Sequence, residues 1–530
     1  MTTVFTGRIR PFSPLIDTEV EAMAVEDGRV VRVGTTAGLT ARYPDAETVA
    51  LAGWVMPGLI EPHGHPSFSA IVLSDLVVDI RPVVVPDATG ALATIGQAVA
   101  DAEGAVFVNG WDALLQRGLP DPDMRFLDEL AGAVPLVVIH NSGHSAYFNA
   151  AAAVAAGIDA STPDPVGASF GRADDGALTG VALEAAAVEM VLAPLLATAQ
   201  QHMPALLTGH LRDLAARGVT TVSDLSWNAE LNPLIAALQT QGQLPVRLRW
   251  YEMSRPGGVA AARGADDPLF RQTGVKTWSD GSPWIGNIAT SFPYLDTPAT
   301  RDLGLEPLHV GEANYTADEL LAIAEPYAVG GWQLACHAHG DRAIDATLDV
   351  YEQIIARHDL RDHRFRLEHC GAMTPAQFVR AADLGVTVSL FVDHITYWGE
   401  VLVDDLFGAE HGGAWADAGA AFAAGHRATF HNDGWVTPNE PFRNMAVAET
   451  RTTRNGFRMP GGTPVTREQA LLAHTANAAW QLFSEHEVGA LTPGLFADFL
   501  VVDRDPVAVS AEELAQTVVV STYLAGHRVV

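Results

Sequence analysis

The sequence predicts an α/β protein built around a (β/α)8 barrel of the TIM type, with an insertion after the first barrel strand and a small β-sandwich domain made from both ends of the chain. Two observations predict this architecture. In the middle of the chain, strand-like runs alternate with helix-like runs, and eight such units are the number that closes a barrel. Short β-forming runs at both ends are typical of a separate β domain.

The predicted elements follow one another in a regular order. The N-terminal run EAMAVEDGRVVRVG is expected to form a hairpin, because Asp27 and Gly28 separate two strand-like halves. The eight predicted barrel strands are WVMPGLI, RGVTTVSDL, LPVRLRWYEM, TGVKTWSDGS, WQLACHAHG, HRFRLEHC, VTVSLFVDH and HRATFHNDG. Three of the helices between or after them begin with capping-box spacing, at Thr316 and Glu319, Thr374 and Gln377, and Thr466 and Gln469. The last of these, TREQALLAHTANAAWQLF, is expected to be the closing helix.

These elements divide the chain into two predicted domains. Residues 1–58 and 488–530 are expected to form the composite β-sandwich domain, and residues 59–487 the barrel. The region from about 67 to 204 breaks the strand–helix alternation. We therefore interpret it as an insertion that covers the active site.

Composition limits the partners of this chain. Its 530 residues carry 32 Lys plus Arg against 63 Asp plus Glu, for a net charge of −31. Nucleic acids and anionic membranes both attract positive surfaces, so neither is an expected partner. A small-molecule substrate is expected, and a homodimer is left open as the assembly.

The cellular location is expected to be the cytoplasm. The N-terminal stretch MTTVFTGRIRPFSP lacks the basic and apolar segments of a secretory signal, and no apolar run is long enough to span a bilayer. The two cysteines, Cys336 and Cys370, are too few for a disulfide framework and fit a reducing compartment.

A pair of histidines follows the first predicted strand. In GWVMPGLIEPHGHP, His63 and His65 are two residues apart, so in an extended chain their side chains share a face. Two imidazoles that converge in this way form half of a metal site. A surface turn that happens to hold two histidines explains an isolated H-x-H equally well.

Further candidate ligands occur at the ends of later strands. Lys276 lies on the fourth strand, His337 and His339 end the fifth, His369 ends the sixth and Asp433 ends the eighth. Barrel enzymes carry their chemistry at the carboxyl ends of the strands, where these residues would converge. The ordered set therefore favours a metal site over an incidental turn.

The chain resembles the amidohydrolase superfamily, and within it the YtcJ-like branch (amidohydrolase family 3) typified by N-substituted formamide deformylase. The stretches that match are PGLIEPHGHP, NSGHSAYFNAAAA, GVKTWSDGS, CHAHGDRAI, RLEHC, HNDGWVTP and GALTPGLFADFLVVDRDP. They run from the N-terminal β segment to the C-terminus, so the resemblance covers nearly the whole chain. Their order and spacing make it specific.

The resemblance implies a role for each candidate ligand. His63 and His65 match the pair that binds the more buried metal. His337 and His369 match the single histidine ligands of the fifth and sixth strands. Asp433 matches an aspartate that binds metal and moves the proton as general base and then general acid.

The resemblance also implies that Lys276 is a metal ligand, carboxylated on its side-chain nitrogen. An unmodified ammonium has no lone pair, whereas a carbamate offers anionic oxygens that can bridge two ions. Carbamate formation needs a neutral amine, so the pKa of Lys276 must be lowered by burial or by nearby cations. With an unmodified Lys276, one ion is expected; an ordinary salt-bridged lysine is the alternative.

Four other residues are candidates for substrate binding. His339 shares a face with His337, and substrate contact or support of the site is favoured over ligation. His144 matches a family histidine near the pocket, with a structural loop role equally open. His394 ends the seventh strand at the same mouth. Trp111 is expected near a strand end, where it could shape an aromatic pocket, although tryptophans are more often core residues.

Neighbouring charged residues receive weaker interpretations. His431 shares a face with Asp433 and is expected beside the site. Glu184 and Asp224 follow predicted strands, and a solvated or capping role is favoured for both.

The implied function is that of a metal-dependent hydrolase acting on carbon–nitrogen bonds other than peptide bonds. The substrate is expected to be a small amide or N-formyl compound, attacked by a metal-activated hydroxide. The cofactor is expected to be a divalent metal, one or two ions, with Zn2+ favoured by imidazole and carboxylate ligands. Two alternatives remain: a lyase, decarboxylase or isomerase on the same scaffold, and a non-catalytic binding protein.

Overall fold

A computed structural model describes residues 1–13, 18–260, 262, 264 and 266–530. The N-terminal segment contains β1 (Thr3–Ile9), β2 (Val20–Glu26), β3 (Arg29–Gly34), α1 (Thr36–Arg42) and β4 (Glu47–Pro57). After β5 (Leu59–Glu61) and α2 (Pro66–Val72) come β6 (Val78–Asp79), α3 (Ala88–Ala100), β7 (Val106–Trp111), α4 (Met124–Ala131), β8 (Leu136–His140), β9 (Ser145–Phe148), α5 (Ala150–Ala156), β10 (Ser169–Arg172), β11 (Leu178–Leu183) and α6 (Ala185–Gln200).

The second half of the chain alternates strands and helices. Its elements are α7 (Met203–Ala216), β12 (Val219–Trp227), α8 (Asn232–Thr240), β13 (Arg247–Met253), β14 (Phe270–Trp278), α9 (Pro298–Asp302), α10 (Ala317–Val329), β15 (Gln333–Ala338), α11 (Asp341–His358), β16 (Arg366–His369), α12 (Pro375–Asp383), β17 (Thr387–Leu390), α13 (Asp393–Val401), α14 (Gly408–His411), α15 (Ala418–Ala423), β18 (Thr429–Phe430), α16 (Pro441–Thr450), α17 (Arg467–Ala473) and α18 (Ala476–Gln481). The C-terminal segment adds β19 (Phe499–Val502), α19 (Ala511–Ala515), β20 (Val519–Leu524) and β21 (His527–Arg528).

The predicted barrel is confirmed. Eight strands pair in parallel in the order β5, β12, β13, β14, β15, β16, β17, β18. The Glu61 side chain bridges the seam between β18 and β5, because its Oε1 accepts a hydrogen bond from the backbone amide of Asn432 at 3.0 Å. The carboxyl ends of all eight strands consequently open on the same mouth.

The first barrel strand begins later than predicted. The stretch WVMPGLI belongs to two sheets: β4 ends at Pro57 in the terminal sheet, and β5 begins at Leu59 in the barrel. Gly58 joins them at a point where a Cβ would lie 2.0 Å from Thr220 Oγ1. Only glycine lets the backbone pass β12 this closely, so the apolar run changes sheets without a loop.

Strands from both ends of the chain form one seven-stranded sheet, in the order β21, β20, β19, β4, β1, β2, β3. Phe5 on β1 and Tyr523 on β20 are three strands apart, roughly 14 Å in a flat sheet. Their ring centroids lie 5.7 Å apart, so the sheet folds over its own apolar core. Residues 1–58 and 488–530 remain our proposed limits for this domain.

A buried ion pair ties this sheet to the barrel. Arg247 on β13 donates to Asp498 through Nε (2.6 Å) and Nη2 (3.0 Å), and both side chains are almost fully buried. We expect Asp498→Asn to lower the free energy of unfolding by about 3–5 kcal/mol, because the guanidinium would stay buried without its counter-charge. A lower urea midpoint would show this effect.

The matched control is Asp296→Asn, which breaks a surface pair of the same type. Arg301 and Asp296 are both more than half exposed, so this change is expected to cost about 1 kcal/mol or less. Equal urea midpoints for the two variants would contradict the role of the buried pair.

The closing helix predicted from TREQALLAHTANAAWQLF is two helices, α17 and α18, separated at His474 and Thr475. The break frees the carbonyl of His474, which accepts a hydrogen bond from the Ile60 amide at 2.8 Å. The interruption therefore supports the first barrel strand. Across the described residues, no helix has both the length and the apolar character needed to cross a bilayer.

Candidate metal centre

The candidate ligands all lie at the mouth of the barrel. Parallel pairing of the eight strands brings together side chains that are far apart in the sequence. They are His63 and His65 after β5, Lys276 on β14, His337 on β15, His369 at the end of β16 and Asp433 after β18.

One group of ligands contains His63, His65 and Asp433, whose ligand atoms lie within 4.8 Å of one another. Asp433 Oδ1 is 3.4 Å from His63 Nε2 and 3.3 Å from His65 Nε2. This oxygen is buried and accepts no hydrogen bond from the described residues. Burial alone would raise the pKa of Asp433, but the imidazole of His65 and the ammonium of Lys276 hold it below its usual value.

Lys276 is buried next to this group. Its Nζ lies 3.4 Å from His63 Nε2, and only 1% of the residue is exposed. Loss of hydration on burial lowers the pKa of Lys276 to about 8, although the carboxylates of Glu368 and Asp433 oppose the shift. About a tenth of the side chain is therefore neutral amine at pH 7, far more than for an ordinary lysine.

A second group contains His337, His339 and His369, again with ligand atoms within 4.8 Å of one another. Burial lowers the pKa of each of these imidazoles well below its usual value, so they are neutral. His337 donates from Nε2 to the Gly281 carbonyl at 2.8 Å, which leaves the lone pair on Nδ1.

The buried carboxylate of Glu368 supports the group formed by His63, His65 and Asp433. Glu368 Oε2 accepts a hydrogen bond from His63 Nδ1 at 2.5 Å, which leaves the lone pair of His63 on Nε2, facing the site. Arg366 in turn donates to Glu368 Oε1 (2.6 Å) and Oε2 (2.9 Å). Sequence reasoning missed both residues, although a charged pair two residues apart in a buried strand was a usable signal.

Two further residues hold the second group in place. Asp280 accepts from the backbone amides of His339 (2.9 Å) and Gly340 (2.8 Å), and so fixes the loop after β15. Burial raises the pKa of Asp280 to about 7. His431 lies beside the site as predicted, with Nε2 3.0 Å from His369 Nδ1.

A cavity of about 1500 Å³ opens over the centre. His65, Lys276, His337, His369 and Asp433 lie on its wall. The insertion forms another part of that wall.

His144 and Glu184 belong to the insertion, and both line the cavity. His144 Nδ1 lies 2.9 Å from Glu184 Oε2, and its ring centroid is 4.8 Å from that of His337. Asn287 donates to the other oxygen of Glu184 at 2.6 Å. Glu184 thus faces the cavity rather than solvent, whereas Asp224 has the expected capping role, accepting from the Ser67 amide.

Three of the residues predicted to bind substrate do not line the cavity. Trp111 packs in the core of the insertion against Phe126, and is 1% exposed. His394 stacks on Phe391 and accepts a hydrogen bond from Trp415. His339 is buried between neighbouring rings. Trp111 and His394 therefore have packing roles. Their predicted positions near strand ends did not show that their side chains turn into the core.

The donor set fits a divalent cation. Neutral imidazole nitrogens and a buried carboxylate oxygen that accepts no hydrogen bond from the described part of the chain are the ligand types of borderline metals such as zinc. His63, His369 and His431 form a third such group, so the described residues offer three overlapping groups of three ligands, with room for one ion or two.

A family model described as "Amidohydrolase family" matches residues 47–530, and one described as "Imidazolonepropionase-like composite domain, bacteria" matches residues 22–46. N-substituted formamide deformylase of Arthrobacter pascens is 29% identical over 528 residues, covering 96% of this chain and 94% of the relative. Putative amidohydrolase YtcJ of Bacillus subtilis is 24% identical, covering 96% and 95%.

A solved structure has the same fold. It is an uncharacterized metal-dependent hydrolase from Pyrococcus horikoshii, with a TM-score of 0.73 and 21% identity. The match covers 97% of this chain and 99% of that one. The barrel and the terminal sheet are therefore shared over nearly the whole length.

Proposed function

The chain belongs to the amidohydrolase family, and from this premise we propose that it is a metal-dependent hydrolase that cleaves a carbon–nitrogen bond, of amide or N-formyl type, in a small organic substrate. The observation that carries the proposal is the buried carboxylate of Asp433 on the cavity wall, whose Oδ1 lies between His63 and His65 and accepts no hydrogen bond from the described residues. The N-substituted formamide deformylase relative supports the choice of bond.

We propose that six residues hold one or two divalent ions, with zinc expected. A bound ion would polarise a substrate carbonyl and acidify water. Lys276 can take part only as a carbamate, which its buried, partly neutral amine would form with carbon dioxide. The six residues are His63, His65, Lys276, His337, His369 and Asp433.

Asp433 is proposed to move the proton. Asp433 lies on the cavity wall, where its carboxylate can accept a proton from the attacking water and return it to the departing amine. The hydrogen bond from His63 Nδ1 to Glu368 keeps the Nε2 lone pair of His63 directed at the site, where Nε2 lies 3.4 Å from Asp433 Oδ1.

The partner is proposed to be a small molecule in the cytoplasm. A cavity of about 1500 Å³ is larger than a small organic substrate requires. Cys336 and Cys370 are free and buried, which fits a reducing compartment.

His144 is proposed to contact the substrate from the insertion. We expect His144→Gln to lower kcat/KM by about 10-fold, the effect of one lost hydrogen bond, because Glu184 fixes the ring so that Nε2 faces the cavity. Steady-state kinetics would measure this. His358→Gln, on the outer helix α11, is the control and should match the wild type; an unchanged kcat/KM in His144→Gln would rule out the contact.

The experiment that tests the function combines metal analysis with a substrate screen. Purified protein would be assayed for ions per chain, then for amine released from a panel of N-formyl and N-acyl amines in H2 18O. We expect bound divalent metal and one solvent oxygen in the carboxylate product. Turnover without oxygen-18 would indicate a lyase or isomerase, and a chain without metal or turnover would indicate a binding protein; either result would overturn the proposal.

A further inference from the structure

We propose that Ser389 and His431 form a buried hydrogen-bonded chain that holds His369 in the tautomer whose Nε2 is free to bind an ion. In this chain His431 is a positioning residue and not a metal ligand. The proposal rests on His369 being a ligand in the proposed function, but it concerns two residues outside that ligand set and is tested by ion binding alone.

The chain consists of two contacts between three buried side chains. His369 Nδ1 lies 3.0 Å from His431 Nε2, and His431 Nδ1 lies 2.8 Å from Ser389 Oγ. His369 is 3% exposed, and the other two residues have no exposed surface. Neighbouring strands supply the three members: His369 ends β16, Ser389 lies on β17, which pairs with β16, and His431 follows β18.

Only one direction of this chain is compatible with ion binding. A histidine binds metal through a neutral ring, which has one N–H and one lone pair. If His369 donates from Nδ1 to His431, its lone pair is on Nε2, and His431 donates from its own Nδ1 to Ser389 Oγ. In the opposite direction His369 accepts at Nδ1 and carries its proton on Nε2, so neither nitrogen of His369 could bind an ion.

The same contacts leave His431 no nitrogen for an ion, because both ring nitrogens have a hydrogen-bond partner. The ring also stacks on His63, with centroids 4.6 Å apart and planes 19° apart. Imidazole lone pairs lie in the plane of the ring, so two rings stacked in this way do not direct them at one point. His369 lines the cavity and His431 does not. The group of His63, His369 and His431 therefore contains a supporting residue and not three ligands.

The backbone of His431 is fixed as well. Its amide donates to the Leu390 carbonyl at 3.2 Å, and its carbonyl accepts from Asn444 Nδ2 at 2.9 Å. A partner that accepts from the second ring nitrogen of a metal-binding histidine fixes both the tautomer and the direction of the ring. His431 thus gives His369 the support that Glu368 gives His63, from a neutral acceptor in place of a carboxylate.

Zinc affinity, measured by competition with a chelator, tests the proposal, with ions per chain counted at saturation. We expect His431→Met, which keeps bulk and loses the acceptor, to bind zinc about 10- to 100-fold more weakly with an unchanged ion count. His431→Gln should recover most of this loss, because its amide oxygen can accept from His369 Nδ1. Ser389→Ala should bind about 5-fold more weakly, the effect of one neutral hydrogen bond.

His426→Met is the matched control. The ring of His426 is also buried, donates from Nε2 to the Phe378 carbonyl at 2.8 Å, and belongs to none of the three ligand groups. This variant should bind zinc as tightly as wild type, and metal-free melting temperatures show whether each variant is folded. The inference is overturned if His431→Met keeps wild-type affinity, since the ring then only fills space, or if its ion count falls, since His431 would then be a ligand.

A crystal structure of zinc-loaded wild type gives a second measurement that needs no variant. We expect zinc at about 2.0–2.1 Å from His369 Nε2, with the contact between His369 Nδ1 and His431 retained. Zinc bound to His369 Nδ1 or to His431 would contradict the inference. A wild type that binds no zinc would overturn the metal site itself, whereas failure to find a substrate would leave both measurements intact.

Discussion

Asp433→Asn is expected to lower kcat by about 10⁴-fold, the upper range for loss of general acid–base catalysis. Asparagine keeps the shape of aspartate, but at neutral pH its amide can neither take up nor return a proton. The change also removes the negative charge from an oxygen 3.3 Å from His65, so weaker ion binding is expected at the group formed by His63, His65 and Asp433. Amine release at saturating metal and substrate measures the proton-transfer effect separately from ion loss.

Asp112→Asn is the control for this variant. Asp112 is also fully buried, but it lies in the insertion, where it accepts hydrogen bonds from the Leu114 amide and the Trp398 indole. Its asparagine variant should turn over within a few-fold of wild type. Near-normal kcat in metal-loaded Asp433→Asn would show that another group moves the proton.

Glu368→Gln is expected to weaken metal binding by about 10- to 100-fold, the cost of losing the partner that orients a histidine ligand. Glutamine can offer its amide nitrogen to His63 as a donor, which would favour the wrong ring tautomer. It would also leave the Arg366 guanidinium buried without a counter-charge, which should lower the free energy of unfolding by about 3–5 kcal/mol. Competition with a chelator measures affinity, and urea unfolding measures stability.

Glu325→Gln provides the comparison, because Glu325 pairs with Arg357 near the surface and far from the barrel mouth. It should leave metal affinity unchanged and cost about 1 kcal/mol or less. A Glu368→Gln protein that is less stable yet binds metal as tightly as wild type would show that this carboxylate serves folding alone.

The barrel could be predicted because local patterns and tertiary structure agree along most of the chain. The capping boxes at Thr316, Thr374 and Thr466 each form as the spacing indicates. The alternation of strands and helices then determines parallel pairing, and parallel pairing places all strand ends together. This is why His63 and Asp433 could be expected to meet across 370 residues of sequence, and the two lie in contact.

The details that sequence could not provide depend on neighbours from elsewhere in the chain. No local signal in WVMPGLI indicates a change of sheet at Gly58, because the constraint comes from Thr220 on another strand. Glu368 looks like an ordinary strand residue until the fold places His63 against it. The side chain of His394 likewise packs in the core and does not enter the cavity, because it contacts aromatic rings contributed by distant segments.

The passage from β4 to β5 through Gly58 has a thermodynamic consequence. His63 follows Pro57 by only a few residues, and the Arg247–Asp498 pair makes a second connection at the same junction. Ion binding at the mouth of the barrel and unfolding of the terminal sheet are therefore linked equilibria. An ion present at 100 times its dissociation constant stabilises the native state by about 2.7 kcal/mol. Amide protons of β1 and β19 should then exchange more slowly in the loaded protein, although no ligand touches either strand.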